Sequence, residues 1–107
     1  MGKYTINISE EYGRTPGGRW KGLGPFSGEQ FYDELLLPRF EQAVLNKDKL
    51  HIYLDGVVSY PYSFIDQSFG ELGRQHGKQT AKECIVFHTY VNQWVVKIIQ
   101  DELWCEK

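Results

Sequence analysis

The sequence predicts an α/β domain in which a small mixed sheet is covered by helices. Three short β-prone runs, at residues 4–9, 50–58 and 84–88, are separated by stretches that carry helix-capping signals and glycine stops. The two later crossovers are long enough for the last strands to pair in parallel. With 107 residues, there is room for one domain that buries roughly two-thirds of its unfolded surface. The expected order is β, a glycine-rich hairpin or loop, then α, β, α, β, α.

The run Tyr4-Thr-Ile-Asn-Ile-Ser9 alternates with period two and sets Ile6 and Ile8 on one face, as a half-buried strand requires. Glycines and Pro16 punctuate residues 10–24. Pro16-Gly17 suits a type II turn, and Tyr12 and Trp20 are the candidate apolar anchors. Ser27-Gly-Glu-Gln30 has the form of a capping box and should start a helix carrying Phe31, Leu35, Leu36, Phe40, Ala43 and Val44. Pro38 lacks an N–H and crowds the Glu34 carbonyl, which predicts a kink or break. The helix should end at Asn46-Lys47-Asp48.

Residues 50–58 are mostly apolar or β-prone and too short for a helix, so a buried central strand is expected, closed by Asp55-Gly56. A second helix is expected over 63–76, with Ser63 as cap and Gly77 as stop. Cys84-Ile-Val-Phe-His88 reads as the third strand. A last helix from Thr89 or Tyr90 would turn Val91, Val95 and Ile98 inward, with Trp94 and Leu103 as further core candidates.

The formal charge of −2 is spread along the chain without a basic stripe, which argues against nucleic acid. No apolar run is long enough to cross a bilayer. The opening Met-Gly-Lys-Tyr-Thr-Ile has no signal-peptide pattern, so a cytoplasmic location is expected. Cys84 and Cys105 read as reduced thiols, with no zinc-ligand spacing around either and no cofactor implied.

Ligands and partners meet open α/β sheets at the carboxyl ends of the strands, which directs attention to Ser59-Tyr-Pro-Tyr-Ser-Phe-Ile-Asp66. A serine at a helix start accommodates a phosphate, because free N–H groups and the helix dipole favour negative charge there. The plainer role for Ser63 is capping alone, a contribution of about 1 kcal/mol. On a helical wheel Ile65, Phe69, Leu72 and His76 share one side, and Ser63, Asp66, Gly70, Arg74 and Gly77 the other. An interior glycine costs a helix up to about 1 kcal/mol, so Gly70 points to a partner surface, while Gly73 fits either a partner or a packed neighbour.

The Gly22–Gly28 loop, with Arg19, Lys21, Ser27 and Gly28, is a candidate anion or nucleotide site, although it has neither the Walker nor the dinucleotide spacing. His51 and His76 read as structural. A Ser63–His88 hydrolytic pair is a third reading, without an orienting acid or oxyanion hole to support it. Trp20, Trp94 and Trp104 are candidate exposed aromatics for homo-oligomerisation.

The stretch Leu54-Asp-Gly-Val-Val-Ser-Tyr-Pro-Tyr-Ser-Phe-Ile-Asp-Gln-Ser-Phe-Gly70, together with Pro16-Gly-Gly-Arg19, Gly24-Pro-Phe-Ser-Gly-Glu29 and Leu-Leu-Leu-Pro38, resembles the STAS-like family of unknown function, related to bacterial anti-sigma factor antagonists. The resemblance implies a STAS-like fold, no catalysis, and a protein partner with a histidine-kinase-type ATPase domain. It places Ser63 at the phosphoacceptor position; the partner-binding face expected around it combines Ser59, Tyr60 and Tyr62 of the preceding loop with Asp66, Gly70 and Arg74, which share its side of the helix. Tyr62 replaces the related antagonists' Asp before the serine, and Phe64-Ile65 replaces the following Ser-Gly.

Overall fold

In the computed structural model, which describes residues 4–105, Tyr4–Asn7 forms β1, Leu50–Tyr53 β2 and Ile85–His88 β3. They form one sheet in the order β1-β2-β3, with Thr5 opposite His51 and His51 opposite Val86. β2 and β3 pair in parallel, as the crossovers predict, and β1 is parallel as well, where a mixed sheet was expected. Each passes to the next through helix, and such crossovers return the chain in the same direction.

The helical segments are α1 (Ile8–Glu11), α2 (28–45), α3 (62–76), α4 (Lys78–Cys84) and α5 (93–103). The turn α1 follows β1 directly and closes with the Gly13 N–H on the Ile8 carbonyl. The Ser27 hydroxyl caps α2, accepting from Gln30 N–H at 3.0 Å, while the Gln30 side chain bonds Glu34 instead of completing the box. Pro38 does not break α2. A π-helical segment, Tyr32–Leu36, precedes it, and this wider winding lets the chain pass a residue that lacks an N–H. Asn46 closes the helix, as the sequence suggests.

No turn hydrogen bond closes across Pro16-Gly17. The Gly17 N–H reaches the Phe26 carbonyl at 2.7 Å, so the glycine-rich segment is an ordered loop folded on itself rather than a hairpin. Tyr12 anchors it, packing on Phe26, Phe31 and Phe64 and donating its hydroxyl to the Ser27 carbonyl. Trp20 does not anchor; it is exposed.

The core lies between one sheet face and the helices. Ile6, Leu50, Ile52 and Ile85 from the strands meet Phe31, Phe40, Phe64, Ile65, Phe69, Leu72 and Val95. Gly77, at φ 94°, separates α3 from α4, a helix that the third run's flanking sequence does not announce. The last helix starts at Gln93, later than expected, because Asp55 and Thr89 hold residues 89–92 in a capped loop. Val91 and Trp94 are consequently exposed, Ile98 and Leu103 half-buried, and Ile99 joins Val95 in the core. Trp104, expected on the surface, is fully buried, with its indole N–H donating to the Phe69 carbonyl at 2.8 Å. Gly73 makes room for it, since a Cβ there would stand 2.7 Å from the indole ring.

The other sheet face is only partly shielded by the described residues. Thr5, His51 and Val86 form one row across it, and Asn7, Tyr53 and His88 the next; all are half-buried except Tyr53, which is exposed. Parallel sheets are ordinarily covered on both faces. Here β2 reads as alternating rather than continuously apolar, and it is half-exposed, contrary to the buried central strand expected.

Candidate functional site

The chain leaves β2 through Asp55-Gly56, where Gly56 adopts φ 94°. The next residues alternate between inward and outward positions. Val58 N–H is tied to the Arg14 carbonyl at 2.7 Å, and Arg14 Nε donates to the Gly56 carbonyl. Tyr60 is buried, and its hydroxyl donates to the Leu54 carbonyl at 2.6 Å; burial, with the charge of Asp55 adding to it, pushes that phenol well above its ordinary pKa. Phe64 is fully buried against Tyr12 and Phe31. Val58 and Ser59, just before Tyr60, and Tyr62, between Tyr60 and Phe64, are exposed, Val58 at 73% and Tyr62 at 51%.

Ser63 is not the cap of α3. Pro61 holds that position with extended φ and ψ, and its carbonyl receives the Phe64 and Ile65 N–H groups. Ser63 is therefore the second helical residue, half-buried, and its hydroxyl makes no hydrogen bond among the described residues.

Three other residues assigned to the partner face are differently placed. Tyr60 faces the core. Asp66 is held from both sides, by Arg19 at 2.5 Å and Arg74 at 2.9 Å, and Arg74 also grips Glu71 and the Asp66 carbonyl. Gly70 is buried beneath this bridge, where a Cβ would stand 2.7 Å from Asp66 Oδ1 and 3.1 Å from Arg74. The glycine that suggested an approaching partner instead lets an intramolecular ion pair close over the helix.

Burial acts to raise the Asp66 pKa, but the hydrogen bonds and charges of Arg19 and Arg74 outweigh it and hold the carboxyl below its ordinary value. A depressed folded-state pKa adds stability that is complete above the unfolded value, about 3.9, and is lost as pH falls through the lower folded value. Urea unfolding of the parent chain should therefore weaken below about pH 4, and Asp66→Asn should flatten part of that acid dependence. An unchanged acid limb in the variant would contradict this.

The residues of the candidate anion site have partners within the chain. Arg19 is committed to Asp66, and Lys21 to Asp33 at 2.8 Å. The first N–H groups of α2 are also used: Gly28 donates to the Gly18 carbonyl, Glu29 to the Arg19 carbonyl and Gln30 to Ser27 Oγ. The first backbone donors of α2 are thus taken, and the charges of Arg19 and Lys21 are partly neutralised by their carboxylate partners. Both cysteines are free thiols, and burial pushes that of Cys84 up.

Ser63 and His88 do not pair. His88 lies on the open sheet face, where its Nε2 is 2.8 Å from His51 Nδ1 and its ring stacks on Tyr53 at a centroid distance of 4.5 Å. The sequence reading missed this pair. Its signal was present: both histidines occupy the outward phase of their strands, and only the register was needed to bring them together. Asp55, at the end of β2, accepts from Thr89 Oγ1, the Tyr90 N–H and Asn92 Nδ2. Burial alone would raise its pKa, but these hydrogen bonds overcome that effect and lower it. Asn7, Tyr53, His88 and Tyr90 line an open cleft of about 480 Å³ above this loop. The histidine His76 packs on Phe40, a structural role.

No described helix is long and apolar enough to cross a membrane. Compared with protein-family models, curated proteins and solved structures, the chain matches none.

Proposed function

We propose that the chain is a STAS-like regulatory module that binds a protein partner through the junction of β2 and α3 and has no catalysis of its own. The observation that carries this reading is the alternation along residues 58–64. Tyr60 and Phe64 fix the segment from beneath, and Val58, Ser59 and Tyr62 are presented outward. An apolar and hydroxyl-rich surface on a pre-anchored loop loses little conformational entropy on docking, and exposed tyrosines are frequent binding hot spots.

Ser63 is the proposed switch and a histidine-kinase-type ATPase the proposed partner, both drawn from the family resemblance. Phosphorylation would add about −1.5 to −2 charges in the first turn of α3, where the helix dipole favours them, at the rim of an apolar contact, which would not. The unpartnered hydroxyl of Ser63 is free to accept the group. In this reading Asp66 and Gly70, held under the Arg19–Asp66–Arg74 bridge, fix α3, and the exposed Arg74 stays available to the partner.

The test is affinity capture from the native host with and without ATP, followed by binding measurements on the captured protein and intact-mass analysis. Tyr62→Ala should weaken binding about tenfold or more, as removal of a hot-spot aromatic does, and Ser63→Asp should weaken it comparably. Full affinity in both variants, with no phosphate on Ser63, would exclude the reading.

A further inference from the structure

Asp55 is a carboxylate whose partners among the described residues are all neutral. Its Oδ1 accepts from Thr89 Oγ1 at 2.5 Å, Asn92 Nδ2 at 3.2 Å and the Val91 N–H at 3.4 Å, whereas Oδ2 accepts only from the Tyr90 N–H at 2.5 Å. The ion pairs among the described residues use Glu11, Asp33, Asp66 and Glu71, and none reaches Asp55. Burial acts to raise its pKa, but these hydrogen bonds lower it, so the carboxylate is ionised at neutral pH. An aromatic surface stands beside it. The 2.8 Å contact between His51 Nδ1 and His88 Nε2 is an N–H···N hydrogen bond that orients the His88 ring, and Tyr53 stacks on that ring at 4.5 Å with 13° between the planes. Tyr53 is exposed, and its other ring face has no aromatic partner among the described residues. The register sets Asn7, Tyr53 and His88 side by side at the carboxyl ends of the three strands, where open parallel sheets receive ligands. With Asp55, Thr89 and Tyr90 they line the cleft of about 480 Å³, which lies within the roughly 300–1,000 Å³ of small-molecule sites. No lysine or arginine belongs to this lining.

We propose that this cleft binds a planar cation of the guanidinium or amidinium type, stacked on Tyr53 and donating N–H groups to Asp55. Such a group answers both features of the lining at once. The face of a tyrosine ring attracts a cation, and a flat, weakly hydrated cation can lie against it at little desolvation cost. Its N–H fork matches a carboxylate, and Asp55 Oδ2 has room for another donor. An alkylammonium ion supplies the charge without the plane. A neutral heterocycle supplies the plane and leaves the carboxylate uncompensated, and an anion is repelled. The cleft is formed before the ligand arrives, because His51 holds His88, His88 holds Tyr53, and the four bonds to Asp55 hold residues 89–92. A guanidinium reaches such a cleft either on a free small molecule or on an arginine side chain, and the chemistry recognised is the same.

Amide NMR titration of the full chain at pH 7.5 tests the site with benzamidine, its flat neutral counterpart benzamide, and benzylammonium, whose charge sits on a tetrahedral nitrogen. Benzamidine should give saturable shifts at residues 53–55 and 88–90, and the other two should bind at least about tenfold more weakly. Tyr53→Leu and Asp55→Asn should each weaken benzamidine binding at least about tenfold, and Tyr53→Phe should retain it. Trp94→Ala, in the neighbouring groove beside α5, should leave it unchanged. Thermal melts check that Asp55→Asn folds, since Asp55 also holds residues 89–92; if it does not, Tyr53→Leu and the benzamide comparison give the same reading. Titrations with agmatine and with acetyl-Gly-Arg-Gly-amide then distinguish a free small molecule from a polypeptide side chain, by which binds more tightly. Absence of saturable benzamidine binding, equal binding of benzamide, or undiminished binding by folded Tyr53→Leu would each overturn the proposal. So would failure of both guanidinium compounds to bind.

Discussion

Replacing Trp104 with alanine is expected to lower the unfolding free energy by about 3–5 kcal/mol, a large part of the 5–15 kcal/mol that holds a domain of this size together. The indole is fully buried, rests on Phe87 at a centroid distance of 5.7 Å and on Phe69 at 6.5 Å, and fills the space vacated by Gly73. Its removal leaves a cavity where α5, α3 and β3 meet and loses the indole hydrogen bond to the Phe69 carbonyl. Trp104→Phe separates these effects: it keeps most of the volume and loses only the hydrogen bond to that carbonyl, so its cost should be about 1–3 kcal/mol. Equilibrium unfolding in urea reads both. A loss under about 1 kcal/mol for alanine would mean that the helix α5 does not dock as described.

Gly28→Ala should destabilise the protein by about 1–3 kcal/mol, the reverse of what helix propensity alone predicts. A Cβ at this position would stand 2.7 Å from the Phe64 carbonyl oxygen and 3.1 Å from the Phe64 Cα. These are backbone atoms of α3 and cannot rotate away, so α2 and α3 would have to separate at their N-terminal ends. The same movement would disturb Phe31 and Phe64, whose tilted rings pack with centroids 5.5 Å apart, and through Phe64 the loop that carries Tyr62. A melting temperature equal to or above that of the parent would refute the close crossing. If the variant folds, its weaker binding to the captured partner would connect the crossing to the proposed docking surface.

Ser27 shows how local signals were legible. A hydroxyl three residues ahead of a free N–H caps a helix wherever the chain goes next, so the start of α2 followed from sequence alone. Asn46 and Gly77 mark helix ends for similarly local reasons. Pro38 was legible as a disturbance, though not in its form, because a π segment and a break both relieve the same clash and neighbouring packing selects between them. The start of α5 was hidden because Asp55, more than thirty residues earlier, supplies the acceptors that fix residues 89–92.

The candidate site divides in the same way. That the β2–α3 junction would be a presented surface was legible, since the carboxyl end of a strand and the start of a helix are adjacent in sequence. Which of its residues face outward was not. Tyr60 and Tyr62 differ little as residue types, yet one reaches the Leu54 carbonyl in the core and the other meets solvent. Gly70 and Asp66 carried a true signal of close approach, but the approaching groups, Arg19 and Arg74, belong to the chain itself.

By itself, the sequence determined the α/β class, the succession of strands and long helices, and the helix ends at Ser27, Asn46 and Gly77, because periodicity and capping act over a few residues. Tertiary structure alone decided that β1 also joins the sheet in parallel, that Trp104 is interior and that Arg19 and Lys21 pair with carboxylates. It also decided that His51 and His88 touch. These depend on register and on partners distant in the chain, and nothing within a few residues of either histidine encodes where the other strand will place its mate.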